Sequence, residues 1–185
     1  NRKFDPVWEA ASACDLPVCV HIAWSYPALL ESCDESTSSL NLALTMPLLF
    51  GAFSFTAGGI LDRFPRLRVG FFEGGAGWVP WFLERLDHYQ GLSSYLRKGH
   101  GLPPLTSLMP SRYRDRVFVT CEADEPLLPQ AVEYLGEDHI MIAEDMPHME
   151  DREGSCAELM ARSEIPERVK RKILYDNPAR FYGLG

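Results

Sequence analysis

Two adjacent carboxylates and a histidine follow a short apolar run near the end of the chain. The segment Ile140–His148 reads Ile-Met-Ile-Ala-Glu-Asp-Met-Pro-His. An apolar run of this length is typical of a strand buried on both faces of a parallel sheet. Because α/β folds place their chemistry at the carboxyl ends of such strands, Asp145 and His148 are candidate site residues. The alternative interpretation is a strand followed by an ordinary acidic turn, since Asp and Pro are common turn residues.

Three other short apolar runs also end in an ionisable side chain. They end near His21, Glu73 and Glu122, as the run above ends at Asp145. If all four runs are parallel strands, these side chains converge on one rim of the sheet. Taken alone, a histidine on an apolar strand is more often a core residue. Glu73 could equally cap the helix that follows it, because the helix dipole stabilises an acid there, or form a salt bridge to a neighbouring arginine.

Strand and helix patterns alternate along the chain. The predicted strands are Pro17–Ile22, Arg68–Phe72, Val117–Cys121 and Ile140–Ala143. The predicted helices are Asn1–Asp15, Ser39–Phe64, Trp78–Tyr89, Pro126–Leu135, Ser155–Ser163 and Pro166–Tyr175. The stretches Ser25–Ser39 and Gly91–Asp115 are predicted loops or lids. This order predicts one α/β domain over residues 1–185, with four parallel strands. A complete (β/α)₈ barrel needs about 250 residues, so four units make about half of one.

Charge and composition exclude several classes of function. The 185 residues include 18 basic and 26 acidic side chains, a net charge of −8, so a nucleic-acid surface is not expected. The longest apolar stretch, Leu40–Ile60, is interrupted by Pro47 and several glycines, so no membrane span is predicted. No charged-then-apolar leader opens the chain, and the five cysteines show no C-x-x-C spacing. These features predict free thiols in a reducing cytoplasm.

A glycine-rich run and three tryptophans suggest parts of a pocket. Gly74–Gly77 lacks both the G-x-G-x-x-G spacing and the lysine of a P-loop, so tight packing or a wall of the site is favoured over a phosphate cradle. Trp24, shortly after the first strand, is the candidate substrate-binding residue. Trp78 and Trp81 have helical spacing and are expected in the core.

Three longer motifs resemble one enzyme family. They are Phe64–Asp87 (FPRLRVGFFEGGAGWVPWFLERLD), Ile142–Glu150 (IAEDMPHME) and Ile173–Leu184 (ILYDNPARFYGL). Together they resemble the amidohydrolase-related family, the metal-dependent hydrolases and decarboxylases similar to aminocarboxymuconate-semialdehyde decarboxylase. The resemblance implies the C-terminal half of a (β/α)₈ TIM barrel. The family's metal pair on the first strand, His-x-His or Glu-x-His, is absent because that strand is absent here.

The resemblance also implies roles for individual residues. His21 matches the metal ligand of the fifth strand. Asp145 matches the eighth-strand aspartate, which binds the metal and handles the proton of the attacking water or the substrate. His148 matches the histidine of the family's Ser-Asp-Tyr-Pro-His signature. In two departures, Glu73 stands where many members carry a catalytic histidine, and Glu144 replaces the signature serine.

The implied cofactor is a divalent metal, with zinc the expected ion because imidazole and carboxylate are ordinary zinc ligands. Such a metal either activates a water or holds the carboxylate of a substrate, so hydrolysis and non-oxidative decarboxylation of a small, aromatic or carboxylated molecule both stay open. The alternative function is a non-catalytic half-barrel or interaction protein without a complete metal site. Since a half-barrel leaves two strand edges and an apolar face exposed, pairing with the N-terminal half or a second copy is expected.

Overall fold

Four parallel strands form the centre of the molecule. A computed structural model describes residues 2–22, 28, 31, 36–143 and 154–184, with the side chains of 36–41 left out of the description. The strands are β1 (Val18–His21), β2 (Val69–Phe72), β3 (Val117–Cys121) and β4 (Ile140–Ile142), in the order β1-β2-β3-β4. All three pairings are parallel. The predicted architecture of four parallel strands is confirmed.

Helices connect the strands and follow the last one. They are α1 (Asp5–Ala13), α2 (Ser36–Phe55), α3 (Ile60–Arg63), α4 (Val79–Gly99), α5 (Leu128–Leu135), α6 (Ser155–Ala161), α7 (Glu167–Arg171) and α8 (Asn177–Tyr182). The π-helical turn Lys172–Asp176 joins α7 to α8, and 3₁₀ turns cover Arg2–Phe4 and Pro110–Arg116. α1 begins with Pro6 in its first turn, where a proline costs no hydrogen bond.

Alternate residues of each strand pack on opposite faces of the sheet. Val69, Phe71 and Val119 lie in the large core beneath the helices. On the other face, Phe118 and Met141 pack with Phe181 from α8. Because apolar groups cover both faces, each strand reads as a continuous apolar run in the sequence.

The single helix predicted over Ser39–Phe64 is instead two helices, α2 and α3, with a turn at residues 56–59 between them. α2 continues through Pro47, so the proline does not interrupt it. By length and composition alone, the stretch Leu42–Arg63 could span a membrane. Within this fold, however, Leu48 and Phe55 are buried against the sheet. Packing on β1 and β2 therefore accounts for the buried part of α2, whereas Leu42, Phe50 and Phe53 are exposed.

Two helix ends and one tryptophan were also predicted wrongly. α4 ends at Gly99 rather than Tyr89, because Gly91 is exposed with open space around it and good helix formers follow. Trp81 is 61% exposed on this helix instead of lying in the core. The last predicted helix continues beyond Tyr175 through the π-helical turn.

Candidate functional site

Two predicted site residues meet at the carboxyl ends of neighbouring strands. His21 is the last residue of β1, and Glu73 directly follows β2, whose last residue, Phe72, is in register with His21. Nε2 of His21 lies 2.8 Å from Oε1 of Glu73. The side chains are 55% and 20% exposed, so the pair faces an open region above the rim of the sheet. Of the interpretations left open for Glu73, helix capping is not what the structure shows, since its carboxylate pairs with His21.

The backbone of Glu73 is held in an unusual conformation. Its φ is +62°, in the left-handed region that residues other than glycine rarely adopt. Its N–H donates to Oγ1 of Thr120 on β3 at 2.9 Å, which fixes the turn out of β2. Backbone strain of this kind costs about 1–3 kcal/mol and is concentrated at functional sites. The turn aims the carboxylate of Glu73 at His21.

The hydrogen bonds of His21 define what its second nitrogen can bind. Nδ1 lies within hydrogen-bond distance of the Ile22 carbonyl, which can only accept, so Nδ1 carries a proton. In the neutral imidazole, Nε2 then carries a lone pair that faces the Glu73 carboxylate. Because two electron-rich atoms repel each other at this distance, the contact is favourable only with a proton or a cation between them or beside them. The pair is therefore a place where positive charge is stabilised.

The same two atoms fit a divalent metal as two of its ligands. Metal bonds to nitrogen and carboxylate oxygen are about 2.0–2.2 Å, so two ligands at right angles are about 3 Å apart. The 2.8 Å between His21 and Glu73 matches this separation. Within the described part of the chain, no group of three His, Cys, Asp or Glu side chains converges as a metal site. A further ligand would have to come from elsewhere.

Four other candidates lie outside the described residues. These are Trp24, Glu144, Asp145 and His148. β4 ends at Ile142, so the chain leaves the sheet at the rim that carries His21 shortly before Asp145 occurs in the sequence. The roles of these four residues, including the approach of Asp145 to His21, stay predictions.

The glycine-rich run binds a carboxylate that belongs to the chain itself. Oε1 and Oε2 of Glu125, in the loop after β3, accept the N–H of Ala76, each at 2.9 Å, and Oε1 also accepts that of Gly77 at 2.5 Å. A Cβ on Gly75, whose φ is +67°, would lie 3.0 Å from Oε1, and one on Gly77 would lie 2.9 Å from it. The acid at the start of α4 is therefore Glu125, and not Glu73. No motif spacing predicted this contact.

Arg162, at the end of α6, was also missed in the sequence. Its Nη1 donates to the carbonyl oxygens of Ala123 and Glu125, at 2.9 and 2.8 Å. Its Nε donates to Glu164 at 2.7 Å, and its side chain is 13% exposed. This largely buried guanidinium therefore holds the backbone of the loop after β3 in place. An arginine just after a short helix carries no distinctive sequence signal.

The remaining candidate nucleophile and histidines are not placed for chemistry. Burial raises the pKa of the Cys121 thiol to about 12, which excludes it as a thiolate nucleophile at neutral pH. His88 and His100 are exposed on and after α4. His139 precedes β4, at the opposite end of the sheet from His21, and burial lowers its pKa. These residues have the structural or surface positions that were expected.

A family model and several solved structures resemble this chain in sequence and in fold. A family model described as amidohydrolase matches residues 1–184. 5-Carboxyvanillate decarboxylase from Sphingomonas paucimobilis is 25% identical with a TM-score of 0.78, over 99% of this chain and 54% of that one. 2,6-Dihydroxybenzoate decarboxylase from Rhizobium is 20% identical with a TM-score of 0.74, over 100% and 56%.

A third similar structure contains a metal. It is a 5-carboxyvanillate decarboxylase from Novosphingobium aromaticivorans with bound manganese and a nitrobenzoic acid, 24% identical with a TM-score of 0.75, over 97% of this chain and 52% of that one. The chain thus spans about half the length of the solved structures it matches, as half of a barrel does. With the family model matched over nearly all its residues, this chain belongs to the amidohydrolase family and has the fold of half an amidohydrolase barrel.

Proposed function

We propose that this chain contributes to the active site of a metal-dependent decarboxylase that acts on a small aromatic carboxylate. The observation that carries the proposal is the convergence of Nε2 of His21 and Oε1 of Glu73, 2.8 Å apart, at the carboxyl rim of a parallel sheet. The named substrates of similar proteins support decarboxylation over hydrolysis, since they include 5-carboxyvanillate and 2,6-dihydroxybenzoate. Zinc is the ion expected from the sequence, but the manganese bound in three similar structures makes Mn²⁺ the first ion to test.

In this proposal His21 and Asp145 are the metal ligands that this chain supplies. When bound, the metal would hold the substrate's carboxylate and a neighbouring oxygen. Nδ1 of His21 faces the Ile22 carbonyl, so Nε2 is the atom that would bind the metal, and Glu73, whose backbone is fixed by Thr120, places its carboxylate beside that atom. His148 follows Asp145 by three residues in the sequence, and in this proposal it orients Asp145.

The reaction itself needs a proton at the ring carbon. Loss of carbon dioxide breaks the bond between the ring and the carboxylate, and its electron pair stays with the ring. One proton must then replace the carboxylate, so an aromatic carboxylate anion and a proton give the arene and carbon dioxide. We assign the transfer of this proton to Asp145, and Glu73 is the second carboxylate near the reacting carbon. Trp24 would bind the flat ring by stacking.

The open sheet edges support a partner for this half-barrel. Among the described strands, β1 and β4 each have a neighbour on one side. The partner would be the N-terminal half of the barrel or a second copy of this chain, because exposed strand edges are rarely left uncovered.

Cys14, Cys19, Cys121 and Cys156 are free, which supports a cytoplasmic protein.

The test is carbon dioxide release by the protein in its natural full length. Loaded with Mn²⁺, it is given 2,6-dihydroxybenzoate or 5-carboxyvanillate, and both carbon dioxide and the decarboxylated phenol are measured. Asp145→Asn removes a charge at the metal and a proton carrier together, so it should abolish turnover and leave the fold intact. Glu133→Gln, an exposed glutamate on α5, is the control. A protein that binds no Mn²⁺ by elemental analysis and releases no carbon dioxide would instead be the non-catalytic half-barrel.

A further inference from the structure

Glu125 and Arg162 join the three segments that follow β2, β3 and β4. The Glu125 carboxylate accepts the N–H groups of Ala76 and Gly77 in the segment after β2. The backbone carbonyl of the same glutamate accepts a bond from Arg162, which lies at the end of the helix that follows β4. One residue of the β3 segment therefore contacts both neighbouring segments.

The contact of Glu125 with the start of α4 is favourable for two reasons. An anionic acceptor makes its hydrogen bonds to N–H groups shorter and stronger than a neutral one does. α4 has 21 residues, and the positive end of its dipole points toward the carboxylate. The glycines make room for it, because a Cβ at Gly75 would lie only 3.0 Å from Oε1, and a Cβ at Gly77 would lie 2.9 Å from Oε1 and 2.7 Å from the Cβ of Leu127. The glycine-rich run is thus shaped around this glutamate.

The position of Glu73 depends on the same contact. Glu73 is separated from Ala76 by only two glycines, and its φ of +62° is not a conformation it would keep unsupported. On one side its N–H is bound to Thr120. On the other side Glu125 holds the N–H groups of Ala76 and Gly77, and Nε1 of Trp78 donates to the Gly75 carbonyl at 2.9 Å. The turn that carries the Glu73 carboxylate is fixed at both ends.

We propose that Glu125 is a positioning residue that holds Glu73 against Nε2 of His21. It acts through the backbone of Gly75–Gly77, where it accepts the N–H groups of Ala76 and Gly77. This inference rests on the proposed function for its effect on turnover, but its effect on the geometry of His21 can be measured without a substrate. Nothing in the family match or the similar structures assigns Glu125 a role.

The experiment compares Glu125→Gln with the control Glu133→Gln in the full-length, Mn²⁺-loaded protein. Glutamine keeps the shape but loses the charge and presents an amide NH₂ to one of the two backbone donors. Hydrogen exchange at Ala76 and Gly77 should accelerate at least about tenfold, since an amide that loses its acceptor opens more often. For 2,6-dihydroxybenzoate, kcat should fall about 10- to 100-fold with KM within about threefold, because a small misplacement of a reacting group has that effect. Without metal, the ¹⁵N shift of Nε2 in His21 should change, while Glu133→Gln changes none of these values.

Several outcomes separate the proposal from its alternatives. Faster exchange at Ala76 and Gly77 with unchanged kcat and an unchanged His21 shift would overturn it and leave Glu125 a purely structural residue. If the parent protein decarboxylates neither benzoate, the proposed function fails. The ¹⁵N shift of Nε2 in His21 then tests by itself whether Glu125 positions Glu73. If Glu125→Gln does not fold, Glu125→Asp is tested instead. Its shorter side chain keeps the charge but reaches one of the two N–H donors, Ala76 or Gly77, less well, so kcat should fall, but by less than tenfold. An aspartate variant with full activity would count against the proposal.

Discussion

Oε1 of Glu73 lies 2.8 Å from Nε2 of His21, and the two residues come from different strands. Parallel pairing of β1 with β2 brings their carboxyl ends together, with His21 in register with Phe72. The left-handed turn at Glu73 then carries its side chain back over the end of β1. A left-handed backbone at a residue other than glycine is costly, and such residues are concentrated at functional sites.

Replacing Glu73 with glycine should separate function from stability. Glycine adopts a φ of +62° without the cost that a glutamate has there, so the free energy of unfolding should stay the same or rise by up to about 1 kcal/mol. Decarboxylase activity should fall by about 100-fold, because the carboxylate beside His21 is lost. Urea unfolding and steady-state kinetics measure the two effects. A glycine variant that is both less stable and fully active would contradict the interpretation.

Alanine at Gly75 and at Gly91 should change stability in opposite directions. Gly75 has a φ of +67°, and its Cβ would meet the Glu125 carboxylate, so Gly75→Ala should destabilise the protein by about 1–3 kcal/mol. Gly91 lies within α4 with open space around it, so Gly91→Ala should stabilise by about 0.5–1 kcal/mol. Urea unfolding of both variants gives the comparison. Equal effects would show that the carboxylate does not shape the glycine-rich run.

The strands and the pair at their ends were predictable from the sequence, for a physical reason. Strands covered on both faces read as apolar runs, and parallel pairing then sends every terminal side chain to one rim. This is why His21 and Glu73 could be placed near each other. Their direct contact was not predicted, because it depends on a left-handed φ at a residue that is not glycine.

Contacts between separate loops have no sequence pattern comparable to the apolar runs of the strands. Glu125 and the run Gly75–Gly77 belong to different crossover segments, and no fixed spacing connects them. The end of α4 was missed for another reason: Gly91 reads as a helix end, yet an exposed glycine inside a long helix costs only about 1 kcal/mol. Packing of the rest of the helix outweighs that cost.

His139 should make the protein less stable in mild acid. Burial lowers its pKa, Arg180 lowers it further, and the opposing effects of Asp115 and Asp138 are smaller. In the unfolded chain His139 binds a proton at its ordinary pKa of about 6.5, whereas in the folded chain it binds one only at lower pH. Stability is therefore lost as the pH falls through about 6.5. His139→Gln should lose less stability than the parent between pH 7.5 and pH 5, measured by urea unfolding at each pH. A loss equal to that of the parent would contradict the assignment.

Manganese should stabilise the full-length protein through His21. A ligand that binds only the folded state adds about 2.7 kcal/mol of stability at 100 times its dissociation constant. If Nε2 of His21 is a ligand, His21→Asn should lose about half of this gain or more, because removing one protein ligand should weaken metal binding about tenfold or more. Urea unfolding with and without Mn²⁺ measures the gain, and isothermal titration calorimetry gives the dissociation constant. His88→Asn, at an exposed histidine on α4, is the matched control and should keep the full gain. Equal stabilisation of the parent and His21→Asn would show that the metal binds elsewhere, and the pairing of His21 with Glu73 would then be an ion pair without a metal.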